Sequence, residues 1–559
     1  MKEVRVYGPP GVGKTTWLAK QIERARKKYF PHEIMVSSFT RAAAEELRSR
    51  DLSIPASSVG TLHAHCYRLL EYPKIAEANS SEFSEAYPHF AMRSGKNAAA
   101  AMDDGVLPQS GEDPDSGSIG KGDELLARYS LARNKLTPRA LWPASLSSFA
   151  SAWEGWKAES GYFDFTDLIE RALATIPVYE GKEVGLIDEA QDLTPLQLSL
   201  VRQWGEKMTT FVLVGDDDQA IYGFAGASPE AFLAKELPPE HEIVLNQSYR
   251  VPRVVQAAAQ KWISGVSCRK EKDYKPRDYD GELLQHPGNF KRPLTLLNDA
   301  EQYLDAGKTV MFLAPCSFQL QPIVAELRKR GWPYHNPYRK SRGDWNPLSP
   351  GKGVSTAQRL LAYLDPGIFP LDWYPEQLVA WGEMMTADAV FNRGIKGKLG
   401  SMPWPLLHKK NATWEESAEA HRVYFQMLDG VFKPGMYEVA TKGDMEWLLN
   451  SATAEYQRRL EFPAGIVRAR GLDALRSTPQ ITVGTIHSVK GGQADVTYLC
   501  PDVSAEAYKA AGRALASGDT SQRDEIIRQY YVGMTRCRET LVMARPATAF
   551  TAQQIRRMQ

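Results

Sequence analysis

The stretch Val4-Arg5-Val6-Tyr7-Gly8-Pro9-Pro10-Gly11-Val12-Gly13-Lys14-Thr15-Thr16 decides the fold. Val4 to Tyr7 alternates as a short strand, and Thr16 to Lys28 has helical spacing. Between them Gly8 to Thr15 fits GxxxxGK[ST]. In that setting the glycines let backbone N–H groups close around phosphate oxygens, and the helix N-terminus adds its positive end. Lys14 then reaches the β- and γ-phosphates and Thr15 ligates Mg²⁺, with Gly8, Pro9, Pro10, Gly11, Val12, Gly13 and Thr16 forming the rest of the nucleotide cradle.

Working outward, Ile34-Met35-Val36 reads as a second strand, and strand-like runs return at Val184 to Ile187, Thr210 to Val214, Thr309 to Leu313 and Ile481 to Val483. Short apolar strands separated by helices predict α/β units with parallel sheets. Two stretches differ. About Glu71 to Gly161 and about Leu361 to Pro479 read as mostly helical, the first holding a Gly/Asp/Ser/Pro-rich loop from Asp103 to Asp123. The strand Leu186-Ile187 runs into Asp188-Glu189-Ala190-Gln191-Asp192. There Asp188 is placed to hold Mg²⁺ and Glu189 to polarise the water that attacks the γ-phosphate.

Composition narrows the class. The chain has 559 residues, 43% hydrophobic and 24% charged, which suits three or four packed units and excludes a mainly disordered chain. Its 68 Lys+Arg against 67 Asp+Glu give a net charge of +1, so a nucleic-acid surface has to be a local groove. No apolar run is long enough for a membrane span, and the start lacks a signal-peptide pattern, so a cytoplasmic location is expected. The five cysteines are scattered and never form CxxC, which predicts buried free thiols. His63 and His65 lack a nearby third ligand, and no metal is expected there.

In order along the chain, a series of motifs resembles the UvrD/Rep/PcrA family of superfamily-1 DNA helicases. Ser38 to Leu47 is similar to motif Ia, Gly60 to Cys66 to Ib, Phe163 to Leu168 to the segment before motif II, and Gly215 to Phe224 to motif III. Leu245 to Arg250 resembles motif IV, Thr485 to Asp495 motif V, and Tyr531 to Arg536 motif VI. The resemblance implies two RecA-like P-loop domains, each with a mainly helical insertion. The expected boundaries are 1–70 with 165–250 for the first core, 71–164 for its insertion, 251–360 with 476–559 for the second core, and 361–475 for its insertion.

The resemblance also implies roles. Gln219 is the γ-phosphate sensor. Arg250 and Arg536 stabilise transition-state charge, as phosphoryl transfer requires. Tyr249 stacks on the nucleotide base, and Gln493 stands where the family has a ribose-binding glutamate. Phe39, Tyr222 and Phe224 belong to motifs whose aromatics stack bases of single-stranded DNA. Thr40, Thr61, His63, Thr485 and His487 belong to motifs that contact the strand. Phe391 to Lys398 resembles an element that touches duplex phosphates, through Arg393, Lys396 and Lys398, in a stretch that also holds Lys409 and Lys410 and lacks acids.

Three features depart from the family pattern besides Gln493. The Walker loop starts at Gly8, leaving no room for an upstream adenine-reading segment, so relaxed nucleotide selectivity is expected. The chain ends at Gln559, soon after motif VI, where the family carries a strand-separating pin. The Trp-Arg pair of motif III is Phe224-Ala225 here. The expected activity is hydrolysis of ATP with Mg²⁺ by a monomeric motor moving 3′ to 5′ on single-stranded DNA and unwinding tailed duplex. The alternatives are a translocase that strips proteins without unwinding, and an ATP-switched DNA-binding adaptor.

Overall fold

The computed structural model describes residues 3–39, 53–92, 120–338, 345–349, 353–365, 373–387, 389–407 and 413–558. Thr40 to Leu47 of its motif, most of the Asp103–Asp123 loop, Lys409 and Lys410 lie outside them.

The first sheet contains β1 (Glu3–Tyr7), β2 (Ile34–Ser37), β3 (Val59–Gly60), β4 (Val184–Ile187), β5 (Thr210–Gly215) and β6 (Glu242–Val244) in the order β3-β2-β4-β5-β1-β6. Every pair in it is parallel. The second contains β7 (Glu282–Gln285), β8 (Val310–Ala314), β9 (Tyr334–His335), β10 (Ile481–Thr485), β11 (Ala494–Leu499) and β12 (Cys537–Met543) in the order β7-β12-β11-β8-β10-β9. Its described registers are parallel too. Two parallel six-stranded sheets with helical crossovers are the RecA-like α/β architecture expected from the motifs.

Parallel pairing explains the placement of the site. β1, β4 and β5 point the same way, so the Walker loop after β1, the acids after β4 and the Gln219 turn after β5 emerge at one edge, where open α/β sheets bind ligands. In the second sheet Ala494 lies opposite Cys537, which sets the preceding residues, Gln493 and Arg536, side by side.

The chain packs into two compact units. One comprises 1–290, 311–320 and 484–559, and the other 291–310 and 321–483. The first holds the first sheet, with Val6, Leu18, Ile22, Val36 and Val214 on one face and Tyr7, Leu196, Leu200 and Leu213 on the other. It also holds an aromatic cluster, Phe83, Phe149, Trp153 and Trp156, among the helices between β3 and β4. The second has its own core around Trp373, Trp381, Tyr424 and Leu428.

Some sequence expectations need correction. The helix after the Walker loop is Lys14–Ala25 rather than Thr16 to Lys28. The loop expected to run to Asp123 ends earlier. Lys121–Asn134 is a helix, and Asp123 accepts a hydrogen bond from Gly120 N at 3.1 Å, a capping interaction that outweighs the turn-like composition. Four of the cysteines are buried, but Cys268 is exposed. Strand β1 carries two charges into the interior. Arg5 pairs with Glu3 at 2.9 Å, and both are 1% exposed.

Candidate nucleotide site and aromatic track

The Walker loop is shaped by two left-handed glycines. Gly11 has φ +77° and Gly13, at the start of the helix, φ +78°. A β-carbon on Gly11 would lie 2.5 Å from Arg250 Cβ, so the motif IV segment can close on the loop only because that residue is glycine. The closure is hydrogen-bonded. Tyr249 N donates to Gly11 O at 2.9 Å, and Ser248 Oγ and the Tyr274 hydroxyl each donate to Pro10 O at 2.9 Å.

A cavity of about 320 Å³ opens over this loop. It is lined by Pro9, Pro10, Gly11, Val12, Gly13, Lys14, Thr15 and Thr16, by Asp188, Glu189 and Asp192, by Gln219 and Arg250, and by Lys490, Gln493 and Arg536. Gly8 and Tyr249 flank it. Gly8 O accepts from Lys14 Nζ at 3.0 Å, and the Tyr249 ring is 74% exposed, which leaves its face accessible for stacking.

The charged groups hold one another. Lys14 Nζ lies 3.7 Å and Lys490 Nζ 3.9 Å from the Glu189 carboxylate, and Gln191 Nε2 donates to Glu189 at 2.6 Å. Burial opposes the charge on Glu189, but Lys14 first and then Lys490 outweigh it and hold the carboxyl down at about 2. Asp192 takes the other side of Lys490, yet burial dominates there and pushes its carboxyl up to about 7. Glu189 sits at φ +51°, in the left-handed region that a non-glycine residue reaches only at a cost, and such strain clusters at functional positions. Arg536, 1% exposed, donates to Gln219 Oε1 at 3.1 Å and to Val532 O at 2.9 Å. Arg250 donates to Gln493 Oε1 at 3.0 Å.

Thr15 and Asp188 offer oxygen donors in the same cavity, the ligand chemistry that Mg²⁺ takes. Asp188 is buried at the tip of β4, its backbone N–H held by Ser37 O at 2.8 Å.

Beside the cavity the aromatics form one continuous cluster. Phe39 packs on Tyr222 with centroids 5.1 Å apart, Tyr222 meets Phe224 at 5.9 Å, and Phe224 meets the His487 ring edge-on at 5.3 Å. Tyr222 is buried, whereas Phe39 and Phe224 are half-buried. Lys490 stands 5.0 Å over the Tyr222 ring, so one side chain touches both the acids and the aromatic cluster. His487 Nε2 donates to Ile221 O, 3.0 Å away, and burial lowers the pKa of the ring to about 4. His63 meets Phe165 edge-on and is lowered to about 4 by burial as well. The hydroxyls of Thr61 and Thr485 are committed locally, accepting from Ala64 N at 3.3 Å and from Ser488 N at 3.2 Å.

Arg393, Lys396 and Lys398 belong to the second unit. Arg393 and Lys398 are exposed, while Lys396 donates to the Met385 carbonyl.

Sequence reasoning missed several contributors. Lys490 stands inside the quoted motif V stretch as its sole cation, which was a usable signal. Lys272 was hidden in Arg269-Lys270-Glu271-Lys272-Asp273, a run that reads as solvated surface.

Residues 1–238 match the family model of the UvrD/REP helicase N-terminal domain. Over those residues the chain is similar to UvrD-type helicases. Its likeness extends past that domain. The protein named ATP-dependent DNA helicase UvrD2 of Mycobacterium tuberculosis is 25% identical over 581 residues, covering 97% of this chain and 76% of that protein. ATP-dependent DNA helicase PcrA of Bacillus subtilis is 28% identical over 309 residues, 49% of this chain and 39% of that protein. PcrA of Staphylococcus aureus is 26% identical over 301 residues, 49% and 40% of the two chains. Among the described residues, no helix is long and apolar enough to cross a membrane.

Proposed function

We propose that this chain is an ATP-dependent DNA helicase that moves 3′ to 5′ on single-stranded DNA and unwinds tailed duplex. The observation that carries the reading is that Lys14, Glu189, Gln219, Arg250 and Arg536 line one cavity, although they lie up to 522 residues apart in the chain (536 − 14). The names of the UvrD2 and PcrA relatives support the coarser part of this reading, an ATP-dependent DNA helicase.

In this reading Lys14 binds the β- and γ-phosphates, and Thr15 with Asp188 would hold Mg²⁺, which supplies neutralising charge on the phosphates. Arg250 and Arg536 stabilise the charge that spreads over the γ-phosphate oxygens. Glu189 accepts from the attacking water. At about 2 it is a weak base, because Lys14 stands beside it. Once Lys14 turns to phosphate, the larger of its two lysine restraints lifts while Lys490 stays, and Glu189 becomes a better acceptor. Tyr249 stacks on the base and Gln493 faces the ribose.

Phe39 and Phe224 stack bases of the single strand, and Tyr222, buried between them, supports both rings rather than meeting a base itself. Thr40, Thr61, His63, Thr485 and His487 serve the strand's backbone, and Arg393 and Lys398 serve duplex phosphates, with Lys396 held on the Met385 carbonyl. The motor cores are 1–70 with 165–250 and 251–360 with 476–559, their helical insertions 71–164 and 361–475, and the working form is monomeric and cytoplasmic.

The test is the ATPase rate with and without single-stranded DNA, followed by unwinding of duplexes with 3′ or 5′ tails. Stimulated hydrolysis with unwinding from 3′ tails is expected. Stimulation without strand separation makes it a translocase, and hydrolysis indifferent to DNA defeats the motor reading.

A further inference from the structure

After the helix Arg253–Ile263 the chain runs as an irregular strap from Ser267 to Arg277. It is fastened at each end to parts of the nucleotide site. Ser267 N donates to Asp524 Oδ2 at 2.9 Å on the helix Ser521–Met534, which leads into Arg536. The Tyr274 hydroxyl reaches Pro10 O at 2.9 Å in the Walker loop.

At its middle lies a buried charge cluster. Lys272 Nζ stands 2.8 Å from Asp216 Oδ1, 2.6 Å from Asp217 Oδ1 and 2.9 Å from Asp218 Oδ2, with every one of these side chains at most 1% exposed. Arg269 adds a two-point bridge to Asp218 at 2.8 and 2.7 Å. Ion pairs this deep are poor stabilisers, because desolvation offsets the attraction, and apolar side chains of similar volume do as well or better. What this cluster supplies is direction.

Asp216 uses Oδ1 for Lys272 and Oδ2 for Gln219, whose Nε2 donates to it at 2.7 Å. A carboxylate only accepts and a guanidinium only donates, so the amide of Gln219 has a single satisfiable orientation. Its N–H₂ faces Asp216, and its carbonyl faces Arg536 Nη2 at 3.1 Å. Lys272, Asp216, Gln219 and Arg536 therefore form a continuous relay from the strap to the nucleotide cavity.

We propose that Lys272 is a positioning residue of the nucleotide site, acting through Asp216 and Gln219 to aim Arg536. The inference rests on the ATP-hydrolysing reading above. It adds that Gln219 is held as a hydrogen-bond acceptor towards the cavity, its amide nitrogen being turned to Asp216.

The test is a double-mutant cycle in DNA-stimulated ATP hydrolysis, using the full chain with Lys272→Gln, Gln219→Ala and the pair. Lys272→Gln is expected to lower kcat about tenfold or more, leave KM for ATP within about threefold, and add less than about twofold when Gln219 is already Ala. Losses that multiply in the pair overturn the relay and leave Lys272 a structural residue. Should Lys272→Gln not fold, as read from its melting transition, Asp216→Asn carries the same test. Its amide oxygen must face Lys272, so its N–H₂ faces Gln219 and forces that amide to flip. The same coupling to Gln219→Ala supports the relay, and multiplicative loss overturns it. A wild-type protein without DNA-stimulated hydrolysis defeats the functional reading itself, whereas an active wild type with independent losses defeats only the relay.

Discussion

In the nucleotide cavity charge meets charge. Lys14 leans on Glu189, Lys490 spans Glu189 and Asp192, and Arg536 rests on Gln219. The aromatic cluster next to it is joined by ring contacts from Phe39 through Tyr222 and Phe224 to His487, with Phe224 half-buried. The first region is preorganised for a defined distribution of charge, and a low-dielectric site of that kind loses a great deal when one member goes. The second offers π-faces, which accept any base and degrade gradually.

The largest effect should therefore come from the cavity. Arg536→Ala is expected to lower DNA-stimulated kcat by on the order of 10³-fold, the scale of a transition-state arginine. Lys14→Ala should abolish turnover, and Glu189→Gln should do so while keeping nucleotide binding. Near-normal hydrolysis by Glu189→Gln would show that another group orients the water and that the charged cavity is less exacting than its geometry.

Phe224→Ala probes the other side of the contrast. Loss of one base–aromatic stack should cost roughly 1–3 kcal/mol in affinity for single-stranded DNA, with DNA-independent ATPase little changed. A sharp fall in melting temperature with DNA affinity intact would make Phe224 a packing residue and remove the contrast.

A smaller effect is expected in the second unit. Neutralising Arg393 and Lys398 should flatten the salt dependence of tailed-duplex binding by about 0.9 in the log–log slope for each phosphate no longer neutralised. Adding Lys396→Gln should change the slope little further, because its ammonium already serves the Met385 carbonyl. An equal loss on single strands would point to general electrostatics.

The gentlest test is pH. Burial lowers His487 from 6.5 to about 4, so the unfolded chain binds its proton first as pH falls. The stability tied to its neutral ring is complete above 6.5 and is lost as pH falls towards 4. His487→Gln should make the melting temperature less acid-sensitive in that window. An unchanged profile would mean that the ring is not held neutral beside the aromatic cluster.

Much of this site was readable along the chain because its parts are local. A phosphate loop needs consecutive residues in a strand–turn–helix setting, and Gly8 to Thr15 is consecutive. The acids after β4 and the Gln219 turn after β5 are short motifs at strand ends, and parallel α/β topology brings such ends to one edge. Arg250 and Arg536 could be named from their motifs, but their partners could not. Gln493 beside Arg536 depends on the register of β11 against β12, and Gly11 against Arg250 depends on a close approach between segments 239 positions apart (250 − 11).

Sequence alone determined most of the elements, the parallel α/β class and the candidate phosphate loop, because backbone propensity, side-chain periodicity and loop chemistry act over a few neighbouring positions. Tertiary structure alone decided which charges are buried. Lys272 and Lys398 look alike in a sequence, each a lysine in a polar run. One is enclosed by three carboxylates at 2.6 to 2.9 Å and the other is exposed. That difference is set by desolvation and by partners brought together from distant segments, and neither is a property of the neighbouring residues.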